Sequence, residues 1–231
     1  KSFFTTLSKL LNANNKLKSG YYELKPNSSV LNFINQISRG DTLKTKITLI
    51  EGKTIQYYFD QLSKDPSITS NSSFDQIMNS IGVNKPFDGW FYPETYIFNY
   101  GESIENVLMK SHETMKSKLS QLWEERDKSI PLKSPYQAII LASLIENETA
   151  LDYEKPLISS VFIGRLNLNM RLQTDPTVIY ALGENYSPPL TRSDLQFDHP
   201  YNTYRNKGLP PGAISSVGYQ SLYAALHPAK G

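Results

Sequence analysis

Glu146 and Glu148 stand two positions apart at the end of the string Ala142-Ser143-Leu144-Ile145-Glu146-Asn147-Glu148-Thr149-Ala150. A carboxyl beside apolar surface, at the negative end of a helix, is disfavoured in its ionised form and tends to keep its proton. Cleavage of a glycosidic bond asks this of its general acid. The plainer reading stands beside it, since charged residues at a helix end often only mark where the helix meets water.

Three other segments carry groups suited to the same chemistry. Asp88-Gly89-Trp90-Phe91-Tyr92-Pro93-Glu94-Thr95-Tyr96 gathers aromatic rings and two carboxylates around a glycine and a proline. Rings of this kind can wall a sugar cleft or staple two parts of a fold together. Arg171-Leu172-Gln173-Thr174-Asp175-Pro176-Thr177 enters a helix. There Thr174 or Asp175 suits the cap, while Arg171 and Gln173 have no capping role and are the better substrate contacts. Tyr201-Asn202-Thr203-Tyr204 precedes the rigid Gly208-Leu209-Pro210-Pro211-Gly212 turn. Its amide and hydroxyls can bind sugar substituents or tie down their own loop.

The elements that must position these groups are mostly helices. Ser134 suits an N-cap, Pro135 the first helical position and Gln137 the reciprocal place in a capping box. The residues that follow are apolar nearly all round, so the helix expected over 134–149 is buried. Positions two apart on a helix point about 200° apart. Glu148 therefore continues the stripe of Leu141, Leu144 and Ile145, and Glu146 that of Ile139, Ala142 and Ser143. The more apolar surround is expected at Glu148. Three roles stay open for Glu146: supporting the Glu148 loop, binding substrate, or pairing with a cation such as Arg165 or Arg171. Further helices are expected over 103–125, 153–166, 175–182 and 216–226.

The first part of the chain holds a weak repeat at an offset of 25 residues, which sets Leu24 on Leu49, Ser29 on Thr54, Val30 on Ile55 and Ile37 on Leu62. Each copy reads as strand, turn, hydroxyl N-cap and short amphipathic helix. With a helix over Ser2–Leu11 this makes a small α/β module across 1–65. Residues 66–86 read as a polar connector with a short helix at 74–81, and 87–231 as a mainly helical domain. The fold class is α+β.

Composition narrows the function. The 231 residues are 39% hydrophobic and 20% charged, as in an ordinary globular protein, and the net charge of +2 does not point to nucleic acid. Absence of cysteine excludes disulfides and thiol catalysis. The three histidines are scattered and no nucleotide-binding glycine pattern occurs, so no metal and no cofactor is expected. The 15 tyrosines, 10 phenylalanines and 2 tryptophans supply a core and rings to spare for a sugar site.

In this order, Gly89-Trp90-Phe91-Tyr92-Pro93-Glu94-Thr95, Glu146-Asn147-Glu148-Thr149-Ala150, Met170-Arg171-Leu172-Gln173-Thr174-Asp175-Pro176-Thr177, Tyr201-Asn202-Thr203-Tyr204 and Gly208-Leu209-Pro210-Pro211-Gly212-Ala213-Ile214 resemble the MltG/YceG-like family of endolytic murein transglycosylases. The resemblance runs from Gly20 onward. It departs at Gly164, where the family usually has asparagine, and at Val217, where proline is common. It implies that the first module is LysM-like and that the second domain cuts peptidoglycan strands between MurNAc and GlcNAc, leaving 1,6-anhydro-MurNAc ends. It implies Glu148 as the catalytic acid, with Glu146, Trp90, Tyr92, Glu94, Arg171, Gln173, Thr174, Asp175, Asn202, Thr203 and Tyr204 around the substrate. It further implies coupling to peptidoglycan synthases and an N-terminal helix, preceding this chain, that anchors it in the bacterial inner membrane with the remainder outside the cytoplasm. A further C-terminal tail is expected beyond Gly231.

Overall fold

The computed structural model describes residues 17–230. The helix expected over Ser2–Leu11 lies outside the described residues. What is described is α+β, helix-rich with two small sheets.

The first elements follow the repeat only in part. Helix α1 (Val30–Arg39) begins at Ser29, whose hydroxyl accepts the Asn32 N–H, and ends at Gly40. Strand β1 (Lys44–Thr48) leads through the Glu51-Gly52 turn into α2 (Ile55–Lys64), capped by Thr54 in the same way. Both hydroxyl caps stand where the repeat sets them. The strand expected before α1 is absent, however: 17–29 makes only isolated backbone bonds, such as Leu43 N–H to Tyr21 O at 2.7 Å, and runs as turn and extended chain. The short strand β2 (Ile68–Thr69) and helix α3 (Phe74–Ile81) follow, α3 starting on a reciprocal Ser73–Gln76 capping box.

Strand β3 (Thr95–Asn99) pairs antiparallel with β1, Lys44 opposite Asn99 and Thr48 opposite Thr95. Strand β4 (Glu102–Ser103) pairs parallel with β2 and runs into the long helix α4 (Ile104–Glu125). These pairings move the expected boundary. One buried cluster takes Ile47, Tyr58 and Leu62 from the first module, Ile77 and Met78 from the supposed connector, and Tyr96, Ile104 and Leu108 from beyond residue 87. The connector is thus part of a core, because α3 buries its apolar face there.

The second cluster centres on α5 (Pro135–Glu148), in which every residue from Ala138 to Ile145 is buried. Around it pack the middle of α4, α6 (Lys155–Asn167), α7 (Asp175–Leu182) and α8 (Tyr219–Leu226). Ser134 caps α5 as expected, but Gln137 Oε1 takes the N–H of Lys133 rather than that of Ser134. Helices α6 and α8 begin two and three residues later than expected; 216–218 is held instead as extended chain against the first module. Gly89, at φ +85, lets the aromatic loop lie against α5, since a Cβ there would sit 2.4 Å from Ile139 and 2.6 Å from Ala213. Among the described residues no helix is long and apolar enough to cross a membrane.

Candidate active site

The end of α5 opens into a cleft of ≈ 520 Å³ between the two cores. Glu146, Asn147 and Glu148 line it from α5, Asp152 from the turn before α6, Lys155 from the start of α6, and Glu51 and Gly52 from the β1–α2 turn. Hydrogen bonds fix the relation of the two sides. Gly52 N–H donates to Ser216 O at 3.1 Å, Ser216 N–H returns to Lys53 O at 2.8 Å, and the Tyr58 hydroxyl bonds Ser216 Oγ at 2.6 Å. Asn147 donates to Ser143 O and Ser215 Oγ, tying the 213–216 segment to α5.

The two glutamates differ in the opposite sense to the sequence expectation. Glu148 is exposed, whereas the side chain of Glu146 is only 7% exposed. The apolar stripe of α5 stops short of Glu148, which hangs from the final turn, while Glu146 turns inward against α6 and α8. Its Oε2 accepts the Gly218 N–H at 2.9 Å and its Oε1 lies 3.6 Å from Lys155 Nζ. Lys155, itself 4% exposed, also reaches Asp152 at 2.9 Å. Burial by itself would lower the Lys155 pKa, but the bond to Asp152 and the charge of Glu146 leave it raised. Lys155, not Arg165 or Arg171, is therefore the cation paired with Glu146. Arg165 instead donates to Leu172 O, and Arg171 is exposed.

Glu148 is held from its other side. Thr174 Oγ1 donates to Glu148 Oε2 at 2.6 Å. Thr174 is 2% exposed, and its N–H donates to Thr203 Oγ1 at 3.1 Å. Thr203 in turn shares its hydroxyl with Thr177 at 2.8 Å, and its carbonyl takes the Gln173 N–H at 3.2 Å. The Tyr204 hydroxyl donates to Asp175 Oδ1 at 2.5 Å. Burial, the Asp175 bond and nearby negative charge, Glu148 included, push the Tyr204 pKa up to about 12.

The structure thus brings Glu148, Thr174, Asp175, Thr203 and Tyr204 together. Asn202 is fully buried, and its amide serves its own loop through Leu195 O, Phe197 O and the Tyr204 N–H. Thr203 is likewise buried, so both support the loop rather than present polar atoms to a ligand. Gln173 is exposed at φ +51 beside Thr174. Of the aromatic loop, Tyr92 is buried, its pKa pushed up to about 12 by burial and the charges of Glu94 and Glu51. Glu94 is exposed, and neither residue lines the cleft. Trp90 stacks on Tyr136 with ring centroids 4.7 Å apart, in a separate hollow. The expectation that Trp90, Tyr92 and Glu94 wall the cleft beside Glu148 is not met, because Gly89 seats that loop against the far part of α5.

Three cleft residues, Glu51, Asp152 and Lys155, escaped the sequence reading. Lys155 carried no signal beyond its neighbour Asp152. Glu51 precedes a turn glycine, and only the fold brings it to α5. Its carboxyl approaches Gly218 so closely that a Cβ there would meet Oε1 at 1.9 Å. Partial burial, followed by the charge of Glu146, raises the Glu51 pKa. Among the described residues no three acidic or histidine side chains converge to hold a metal ion.

A profile of the YceG-like family matches residues 1–231. An endolytic murein transglycosylase of Bacillus subtilis (strain 168) is 35% identical over 192 residues, which is 82% of this chain and 51% of that protein. The endolytic murein transglycosylase of Streptococcus pneumoniae D39 is 26% identical over 251 aligned positions, covering 93% of this chain and 45% of its own length. The chain spans about half the length of these curated relatives. A yceG-like protein of Listeria monocytogenes, solved by crystallography at 2.6 Å, is 30% identical with a TM-score of 0.65, over 100% of this chain and 82% of that one.

Proposed function

The chain belongs to the YceG-like family, and on that premise we propose that it cleaves peptidoglycan glycan strands between MurNAc and GlcNAc as a lytic transglycosylase, with Glu148 as the catalytic group. The observation that carries the reading is the setting of Glu148. One oxygen is fixed by Thr174 at 2.6 Å, and the other has no protein donor among the described residues. A carboxyl held by one oxygen in a polar cleft can offer the other to a bridging oxygen.

Glu148 gives its proton to the leaving GlcNAc oxygen as the MurNAc ring gains oxocarbenium character. The carboxylate left behind takes the proton of the MurNAc C6 hydroxyl, and that oxygen bonds to C1 to close the anhydro ring. No water is consumed, so no second carboxylate at hydrolase spacing is required. Tyr204, Gln173 and Arg171 stand on the open side of the same loop pair, placed to meet sugar substituents, while Asn202 and Thr203 hold the loop. Glu146 acts as a support, anchoring Gly218 and Lys155 beneath the cleft.

The finer parts of the reading go with this proposal. The first module is LysM-like and meets the glycan. The chain works outside the cytoplasm, tethered to the inner membrane by a helix outside the described residues, beside peptidoglycan synthases. Mass spectrometry of products from purified peptidoglycan tests the chemistry. Anhydro-terminated fragments from this chain and none from Glu148→Gln are expected. Reducing MurNAc ends, one water heavier, would make it a hydrolase instead, and equal release by the variant would remove Glu148 from the mechanism.

A further inference from the structure

A hollow of ≈ 360 Å³ lies at the other end of α5 from the acidic cleft and shares no lining residue with it. Tyr136, in the first turn of α5, forms one wall with Trp90 stacked on it. His112 and Lys116, four apart on α4, form a second. The turn after α3, with Val83, Lys85 and Pro86, closes the third. Tyr136 and Glu148 stand about 18 Å apart along the axis of α5.

No acidic side chain lines this hollow. Lys85 and Lys116 are exposed, and neither makes an ion pair among the described residues; Lys85 only lies over the Phe87 ring at 5.7 Å. The Trp90 carbonyl can only accept, so His112 Nδ1, facing it at 3.0 Å, carries the ring proton. Burial lowers the His112 pKa, so the ring is neutral at pH 7 and its Nε2 is left as an acceptor. Two cations and one acceptor beside the apolar Val83, Pro86 and Tyr136 match a peptide that ends in a free carboxylate. The carboxylate meets the lysines, a backbone N–H meets Nε2, and a small terminal side chain meets the apolar wall. An anion that brings only acceptors would set lone pair against lone pair at His112.

We propose that this hollow binds the D-alanyl carboxylate end of a peptidoglycan stem peptide, so that the chain recognises the peptide of its substrate at a site separate from the bond it cuts. The proposal rests on the reading of peptidoglycan as the substrate. Muramic acid carries the stem, and an uncut stem ends in D-alanyl-D-alanine. Five extended residues span about 17 Å, close to the length of α5 between Glu148 and Tyr136. The Trp90 loop thereby gains a place in substrate recognition, distant from the chemistry.

The probe is diacetyl-lysyl-D-alanyl-D-alanine, whose only charge is its terminal carboxylate, compared with its C-terminal amide. Each is titrated into the unmodified chain and followed by the NMR signals of the His112 ring. The acid is expected to bind about tenfold more tightly than the amide. Lys116→Glu and Lys85→Glu, both at exposed positions, are each expected to remove most of that preference. Equal binding of acid and amide, or a preference that both folded variants keep, overturns the proposal. Sulfate that moves the His112 signals as strongly at the same concentration overturns the assignment to a peptide. If the chain releases no anhydro products yet prefers the acid, and the variants lose that preference, the cleavage reading fails and the hollow stands. Anhydro release with no preference for the acid keeps the cleavage reading and removes this site.

Discussion

Thr174 gives its hydroxyl to Glu148 at 2.6 Å while Thr203 holds its backbone N–H at 3.1 Å. The donor is therefore not free to turn away, and Glu148, exposed at the end of α5, takes its orientation from the entry to α7. Thr174→Val keeps the shape and removes the donor. Turnover of glycan strands is expected to fall about tenfold with little change in substrate affinity, the worth of one hydrogen bond. Thr174→Ser should keep most of the activity. Equal loss in both variants would point to damage to the fold and away from orientation.

Lys155 and the Glu146 side chain are both nearly inaccessible. Lys155→Met leaves Glu146 buried with the Gly218 N–H but no cation, and should lower folding stability by about 3–5 kcal/mol in denaturant titration. Adding Glu146→Gln should restore much of the loss, because the uncompensated charge goes with it. A single variant as stable as the parent would show that Glu146 does not depend on Lys155 for its charge compensation.

Gly218 has ordinary backbone angles, so its demand is for space. A Cβ would meet Glu51 Oε1 at 1.9 Å. Gly218→Ala must push that carboxyl aside and should cost about 1–3 kcal/mol, as overpacking does. In Glu51→Ala the same substitution should cost far less, and a double-mutant cycle reads the difference.

The raised pKa of Glu51 carries a sign. Partial burial and the charge of Glu146 make the folded chain hold this proton more tightly than the unfolded chain, whose value is near 4.5. The stability contributed by the protonated form is complete below that value and disappears as pH rises through the raised one. Glu51→Gln should therefore be more stable than the parent at neutral pH, with the gain vanishing in acid. Parallel stability profiles from acid to neutral pH would contradict this.

The helices were legible in the sequence where a local signal set their ends. Ser134 and Thr174 stand at N-caps that the sequence offers, Pro135 and Pro176 sit just inside, and the helices expected from 74 and 103 begin at Phe74 and Ile104. The pairing of β1 with β3 was not legible, since the register joins segments far apart in the chain and Thr95 and Tyr96 read as the end of an aromatic loop. The site divided in the same way. Glu148 and Thr174 lie in segments whose residue types suggest a role, whereas Glu51 and Lys155 owe theirs to packing alone. Asn202 reads equally well as ligand contact or loop brace, and only its full burial decides for the brace.

The ladder from Lys44–Asn99 to Thr48–Thr95 sets a rule for anyone building chimaeras. The module at the front of the chain is not a cassette that can be exchanged at residue 66 or 87. A graft cut there would carry β1 away from its only strand partner among the described residues and split the core shared with α4. Helix α4 then runs without a break from that core, at Ile104, Val107 and Leu108, into the second, at Met115, Leu119 and Leu122, so front and back must be redesigned as one tailored piece.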